Sequence, residues 1–452
     1  MSSAAEASLG GLRAGAAEVK ITPPVGVDLS GYAAREGPTT GVHDDLWCRA
    51  VVLDGGGTRL GLVALDLLGL DFAIDAAIRR QVAEDTGLPP KHLLLNCSHT
   101  HAGPAVAELR ALGSPNRAYV EQLPAWVAEA VAQAMARAAP ASLSFGTSPA
   151  GVGVNRRERT ADDRITIGVS PQGITDEQVR VMPLVGAGGE PVAVLFSYAC
   201  HGTTLGAENR QVSADWMGAA CEQLRGRLDG RALPVFLQGC CGQINPRRER
   251  RTMAQVAHLG AEMAEAVVEA TGVARPVRAD RLAAGLTRIQ LPLQDPPDLQ
   301  SARADLARAE AELAGAQGRD EHAYALRALE ELASYSRGLV ALAERGARGL
   351  KLTFAVQAMA IGELALVGLS GEVFLEFARQ IEAASPFPHT VVLGYTNGCT
   401  GYVPTAEAIA EGGYEPEGSF RYYGTLPLAP QAGDEMTGAA LALLQELRPP
   451  AA

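Results

Sequence analysis

Three of the eight histidines stand where they could hold a metal or move a proton. His99 and His101 belong to the segment Asn96-Cys97-Ser98-His99-Thr100-His101-Ala102-Gly103-Pro104, which leaves the apolar run Leu93-Leu94-Leu95. In extended chain, side chains two apart point to the same side, so both imidazoles are expected to converge just past a strand end. Imidazole is the commonest metal ligand, and such a pair can share a zinc ion or divide ligation and proton transfer between them. His201 repeats the design, because it ends the apolar run 192–200 and is followed by Gly202-Thr203-Thr204. One metal held between two neighbouring strands suits this arrangement.

A catalytic zinc takes about three or four protein ligands and leaves room for water, so a carboxylate is also sought. Glu372, in Gly368-Leu369-Ser370-Gly371-Glu372, stands at a third strand-to-helix junction. Two readings apply to it. It is either a ligand or, together with Ser370, ordinary chemistry of a helix N-terminus. Asp215 is open in the same way, between orienting a ligand and opening its helix.

The elements that must position these residues read as α/β, with mixed β-sheets packed with helices. The first 22 residues are expected to be mobile as far as Val19-Lys20-Ile21-Thr22. Apolar runs at 49–54 and 60–66 flank Gly55-Gly56-Gly57 and predict a hairpin. Helical spacing covers 72–86, 117–138, 215–228, 252–271, 373–384 and 433–447, while 191–199, 234–238 and 389–395 read as strands. Residues 352–368 predict a hairpin turning at Gly362-Glu363. Between these, 299–347 is rich in Ala, Leu, Glu and Arg and predicts one long helix or a helical hairpin, a helical insertion with a solvated face. Residues 1–452 are expected to form a single catalytic domain that includes this insertion.

Composition bounds the function classes. Hydrophobic content of 47% is ample for a core, and a net charge of −12 without a basic stripe argues against nucleic acid. The densest basic patch, Arg247-Arg248-Glu249-Arg250-Arg251, reads as surface charge opening a helix, with an anionic substrate group as the other reading. Seven scattered cysteines, none in a Cys-x-x-Cys pair, are not a disulfide framework. The N-terminus has no apolar core of a signal peptide, and no stretch of about 20 apolar residues predicts a membrane span. The expectation is a cytoplasmic protein acting on a small molecule, with self-association left open.

The combined motifs resemble the catalytic domain of the neutral/alkaline non-lysosomal ceramidases. In chain order they are Ala16-x-Glu18 with Ile21-Thr22-Pro23, Ser98-His99-Thr100-His101-Ala102-Gly103-Pro104, Val154-Asn155-Arg156, Ala199-Cys200-His201-Gly202-Thr203, Ser213-Ala214-Asp215, Gly242-Gln243-Ile244-Asn245-Pro246, Gly371-Glu372, and Asn397-Gly398-Cys399-Thr400-Gly401-Tyr402-Val403 followed by Tyr414-Glu415. The resemblance implies a zinc amidase whose metal is held by His99, His201, Glu372 and Tyr402. It implies that His101, Arg156 and Tyr414 line the site as catalytic groups. Attack by zinc-bound water on a linear amide then follows, with His101 as proton carrier and Arg156 or Tyr414 stabilising the oxyanion.

One motif departs from the family pattern Gly-Asp-x-Ser-Pro. Gln243 and Asn245 stand where the pattern has Asp and Ser, so both are expected to meet the substrate. The chain also reads as a short form without a C-terminal domain. The expected substrate is a smaller, more polar N-acyl amine than ceramide, although a role in lipid metabolism is retained among the expectations. The alternatives are a zinc esterase of the same fold and an inactive zinc-binding homologue. A (β/α)₈ amidohydrolase is disfavoured, because two strands precede the His-x-His motif and no second histidine pair follows.

Overall fold

The structure is a computed structural model that describes residues 11–448 except for 229, 248 and 319–322. Its core is built by strands whose alternate residues serve two faces. In Trp47–Gly55, Val51 and Leu53 enter a core shared between two sheets, while Ala50 and Val52 enter a core shared with helices. The sheets are a nine-stranded one and a four-stranded one made of Leu282–Pro292, Lys351–Ile361, Leu364–Leu369 and His389–Leu393. Their facing sides bury Leu62, Leu195 and Val235 against Met359, Leu366 and Val391. Helices cover the outer sides, among them Leu123–Ala136, Asp215–Arg227 and Met253–Val273 on the large sheet and Ala432–Leu447 on the small one. The class is therefore mixed α/β, as the sequence pattern predicts.

The hairpin at the glycine run forms as expected. Gly55 pairs with Thr58 across Gly56-Gly57, whose φ values of 60° and 79° are those a tight two-residue turn requires. Phe72–Thr86 is capped by Asp71, which accepts from the Ile74 amide at 2.8 Å. The predicted helix 117–138 is instead two, Arg117–Val120 and Leu123–Ala136, the second opening with Pro124.

The N-terminal expectation is overturned for the described residues. Arg13–Lys20 is a strand paired along its whole length with Trp47–Gly55. Its small side chains hide it from a hydrophobicity pattern. A Cβ on Gly15 would meet the Ala134 carbonyl at 2.1 Å, so the covering helix can approach only because no side chain intervenes. Residues 1–10 of that expectation lie outside the described residues.

The insertion consists of two helices, Leu299–Gly318 and Ala323–Glu344, joined through residues outside the description. Arg303–Glu344 and Arg337–Glu310 ion pairs make them antiparallel. The flanking strands Leu282–Pro292 and Lys351–Ile361 pair over their full length, so the insertion leaves and returns at one edge of the small sheet. The basic run ends before Thr252, which caps Met253–Val273, and Arg248 in it lies outside the described residues. All seven cysteines are free, and no described helix is long and apolar enough to cross a membrane.

Parallel pairing decides where the loops go. Thr58–Leu65 runs parallel to Leu93–Cys97, Pro191–Tyr198 to Leu233–Gln238, and Leu364–Leu369 to His389–Leu393. Leu93–Cys97 and Leu233–Gln238 terminate opposite ends of the large sheet's strand order. The buried Asn96 joins these ends. Its Oδ1 accepts from the Gln238 amide at 2.7 Å, and its Nδ2 donates to the Gly394 carbonyl at 2.8 Å. The sheet thus curls so that the carboxyl ends of strands from both sheets open at one place, the position where α/β proteins carry chemistry.

Candidate metal centre

His99 leaves the end of Leu93–Cys97, but not in extended chain. Its φ is 61°, in the left-handed region that non-glycine residues seldom occupy. This turn, rather than strand alternation, brings the two imidazoles together, with their Nε2 atoms 3.2 Å apart. His201 reaches them because Thr100 bridges Gly202 in parallel and the His101 amide donates to the Gly202 carbonyl at 3.0 Å. The strands behind His99 and His201 are not neighbours in the ladder, contrary to expectation; curling of the sheet makes their ends meet.

The second nitrogens fix the tautomers. His99 Nδ1 donates to the Leu68 carbonyl at 2.7 Å, and His201 Nδ1 to the Cys241 and Ile244 carbonyls at 2.8 and 3.0 Å. Carbonyls only accept, so each Nδ1 carries the proton and each Nε2 presents a lone pair to the centre. Burial and then the Arg156 charge push His201 down to about 4. Burial and then the neighbouring histidines push His101 well below its usual value. Both are neutral near pH 7.

Glu372 lies among these lone pairs. Its Oε2 is 3.1 Å from His201 Nε2 and 3.3 Å from His99 Nε2. Tyr395 donates to the same oxygen at 3.2 Å, and Tyr423 donates to Oε1. The helix-cap reading of Glu372 fails. Ser370 Oγ accepts from the Ala355 amide instead, and the following helix, Leu375–Ala384, has no side-chain cap.

The spacing of Glu372 Oε2 from the two imidazoles fits a cation shared among them. Ligand atoms at ~2.0–2.2 Å from one zinc stand roughly 3.3–3.5 Å apart, and the contacts of Glu372 Oε2 with both histidines are close to this spacing. The ligand nitrogens of His99, His101 and His201 lie within 4.8 Å of one another. Tyr402 is beside this group because Glu372–Val373 pairs in parallel with Tyr402–Val403, Glu372 opposite Tyr402. Its hydroxyl accepts from Arg156 Nη2 at 2.9 Å, while burial pushes the phenol well above its usual value against the pull of Arg156.

Arg156 is the hub on the other side. Its Nη1 approaches His201 Nε2 at 3.2 Å and Asn245 Oδ1 at 3.3 Å, and its Nε donates to Glu415 Oε1 at 2.8 Å. Its guanidinium also lies 5.7 Å from the Tyr414 ring. Asn245 additionally accepts from Thr203 at 3.2 Å. Gln243 behaves differently from the expectation. Its side chain accepts from the Leu375 amide at 3.2 Å and donates to Glu376, so it is engaged with a helix start. Asp215 bonds the Leu205 and Trp216 amides, and Trp216 Nε1 donates to the His201 carbonyl at 2.9 Å. Asp215 therefore fixes the loop after His201 without touching an imidazole.

Three participants escaped sequence reasoning as partners. Tyr395 stacks on His99 with ring centroids 4.1 Å apart, Tyr423 bonds Glu372, and Glu415 anchors Arg156. Only Glu415, adjacent to Tyr414 in a motif, carried a local signal.

A family model described as neutral/alkaline non-lysosomal ceramidase, N-terminal, matches residues 12–241. That span contains His99, His101, Arg156 and His201. The neutral ceramidase of Pseudomonas aeruginosa is 25% identical over 232 residues, 49% of this chain and 34% of that protein, so the match spans about a third of the relative's length. The crystal structure of the neutral ceramidase from Pseudomonas aeruginosa superposes with a TM-score of 0.73 at 20% identity, covering 98% of this chain and 76% of that one. A ceramidase complexed with C2 gives 0.75 at 19% identity, covering 97% and 75%. These likenesses extend the shared fold over the segments that carry Glu372 and Tyr402.

Proposed function

Because the chain belongs to the neutral/alkaline non-lysosomal ceramidase family, we propose that it is a zinc-dependent hydrolase cleaving the amide bond of a linear N-acyl amine. The observation that carries this reading is Glu372 Oε2, which lies within ligand spacing of both His99 Nε2 and His201 Nε2. His99, His201, Glu372 and Tyr402 would hold the ion. Ligation by Tyr402 needs a cation to outweigh the burial that keeps its phenol protonated.

Bound there, zinc supplies Lewis-acid chemistry, polarising a carbonyl and lowering the pKa of a water. The chain's own residues do the rest. The His99 and His201 rings are held in one tautomer by their carbonyl partners, which presents Nε2 without reorganisation. His101 presents Nε2 to the centre and, being neutral, accepts the proton of the attacking water there once the His99 lone pair is committed elsewhere. Arg156, fixed by Glu415 and Asn245, offers its charge to the developing oxyanion, with the Tyr414 hydroxyl as a second donor. Asn245 borders the substrate through Arg156, whereas Gln243 acts by fixing the helix that follows Glu372. We take the chain as one catalytic unit, with 299–347 as an insertion in the small sheet.

His99→Ala tests the reading. Zinc content and amide turnover are both expected to fall to background; retained zinc with unchanged hydrolysis overturns the assigned centre. A panel of N-acyl amines and matched esters tests the bond, and turnover of esters alone overturns the amide assignment.

A further inference from the structure

Glu372 gives its two oxygens to different neighbours. Oε2 faces His201 Nε2 at 3.1 Å and His99 Nε2 at 3.3 Å, whereas Oε1 is bonded by the Tyr423 hydroxyl. A carboxylate only accepts, and a phenol with an ordinary pKa of about 10 keeps its proton at neutral pH, so Tyr423 is the donor. A carboxylate with both oxygens free can grip a cation with one oxygen or with two. A donor on one of them leaves the other as the ligand and fixes its direction.

Tyr423 is itself held in place. It ends the short helix Phe420–Tyr423, which stops at Gly424. Its ring lies against Gly401, where a Cβ would stand 3.3 Å from Cδ2. The Gly401 carbonyl accepts from the Glu372 amide at 2.9 Å. The ring therefore rests on the residue that anchors the backbone of Glu372.

The helical arm packs on the same segment. Tyr335, on Ala323–Glu344, donates its hydroxyl to the Thr425 carbonyl at 2.8 Å, and its ring stands 6.0 Å from that of Phe420. Tyr335 and Leu339 bury with Leu426 in a small apolar cluster separate from the main cores. The Arg110 amide donates to the Tyr422 carbonyl at 2.8 Å. Residues 420–426 are thus bonded both to the arm and to the loop that follows His101.

We propose that Tyr423 is a positioning residue, which ties Oε1 of Glu372 so that Oε2 alone faces His99 and His201, and that the arm serves the centre by holding the segment that carries Tyr423. This rests on the metal-centre reading above and gives the insertion a role in it.

The test measures zinc affinity of the full chain by competition with a chromophoric chelator, for the parent, Tyr423→Phe, Tyr335→Phe and the double variant. Tyr423→Phe is expected to weaken zinc binding by about tenfold to a hundredfold, as loss of a ligand's supporting bond does. Tyr335→Phe is expected to weaken it less. The double variant should match Tyr423→Phe within about twofold, because the arm then has no hydroxyl left to position. Cobalt(II) in place of zinc reports the number of ligand atoms, since its visible bands weaken as that number rises. They are expected to weaken in Tyr423→Phe, where Oε1 is free to join. Melting of the metal-free proteins checks that each variant folds. Unchanged zinc affinity and an unchanged cobalt spectrum in Tyr423→Phe, whatever its metal-free melting, overturn the proposal and leave the metal reading standing. Additive losses in the double variant overturn the part given to the arm. A parent chain that binds neither ion sinks the metal reading, and this proposal with it.

Discussion

Gly31 lies directly against the imidazole of His101, where a Cβ would stand 2.4 Å from Nδ1 and 2.6 Å from Cγ. The φ of Gly31 is 102°, a conformation that L side chains rarely adopt. His101 Nδ1 is buried without a hydrogen-bond partner among the described residues, so contact with Gly31 rather than a bond sets this side of the ring. The Tyr32 ring, at 5.1 Å, closes the other contact.

Gly31→Ala is therefore expected to displace His101 from the centre while leaving the proposed metal ligands His99, His201 and Glu372 in place. We expect kcat to fall about tenfold or more, as small misplacements of a proton-transfer group do, with zinc content unchanged. Steady-state kinetics with metal analysis checks both, and an unaltered kcat would contradict the role given to His101.

Glu415 neutralises two guanidiniums at once, accepting from Arg156 Nε at 2.8 Å and Arg157 Nη1 at 2.9 Å. All three side chains are nearly fully buried. Glu415→Ala leaves both cations without this partner, and breaking a buried pair in this way costs about 3–5 kcal/mol. Urea denaturation at neutral pH is expected to show that loss, and a change below about 1 kcal/mol would contradict it.

Metal removal should read out as stability. An ion that binds only the folded chain stabilises it by mass action, about 2.7 kcal/mol at a hundredfold excess over Kd. Chelation is expected to lower Tm, and added zinc to restore it. In Glu372→Gln neither treatment should shift Tm appreciably. A Tm that ignores chelator in the parent chain argues against a bound ion.

Asp215 is expected to leave a mark on the pH dependence. Burial pushes its carboxyl up from 3.8 to about 6. Between those values the folded chain binds the proton that the unfolded chain releases, so stability rises as pH falls from about 6 toward 4. The gain is on the order of 3 kcal/mol. Asp215→Asn tolerates the local φ of 54° and should flatten this limb relative to the parent. Denaturation curves at two pH values, one in the window and one above it, make the comparison. Parallel limbs for the two proteins would refute it.

Much of the centre was legible because its signals are local. An apolar run followed at once by histidine marks a strand end, and this held at His99 and His201. The Gly55-Gly56-Gly57 turn and the Asp71-capped helix are likewise set within a few residues. Glu372 was ambiguous for a definite reason: a serine and an acid before a helix serve a cap or a ligand equally well. Only the bond from the Ala355 amide to Ser370, across the small sheet, separates the two. The strand Arg13–Lys20 was missed because close helix packing at Gly15 demands the small side chains that make it look mobile.

What the chain determined alone is therefore the list of donors and the ends of the elements that carry them. The tertiary structure decided which ends meet. His99 and His201 come from strands that are not ladder neighbours, joined through the amide of Asn96 as the large sheet curls, and Tyr395 and Tyr423 arrive from remote segments with no periodicity of their own. Periodicity records whether a residue is buried. It does not record strand order, and the left-handed turn at His99 is a backbone state that no pattern of side chains announces.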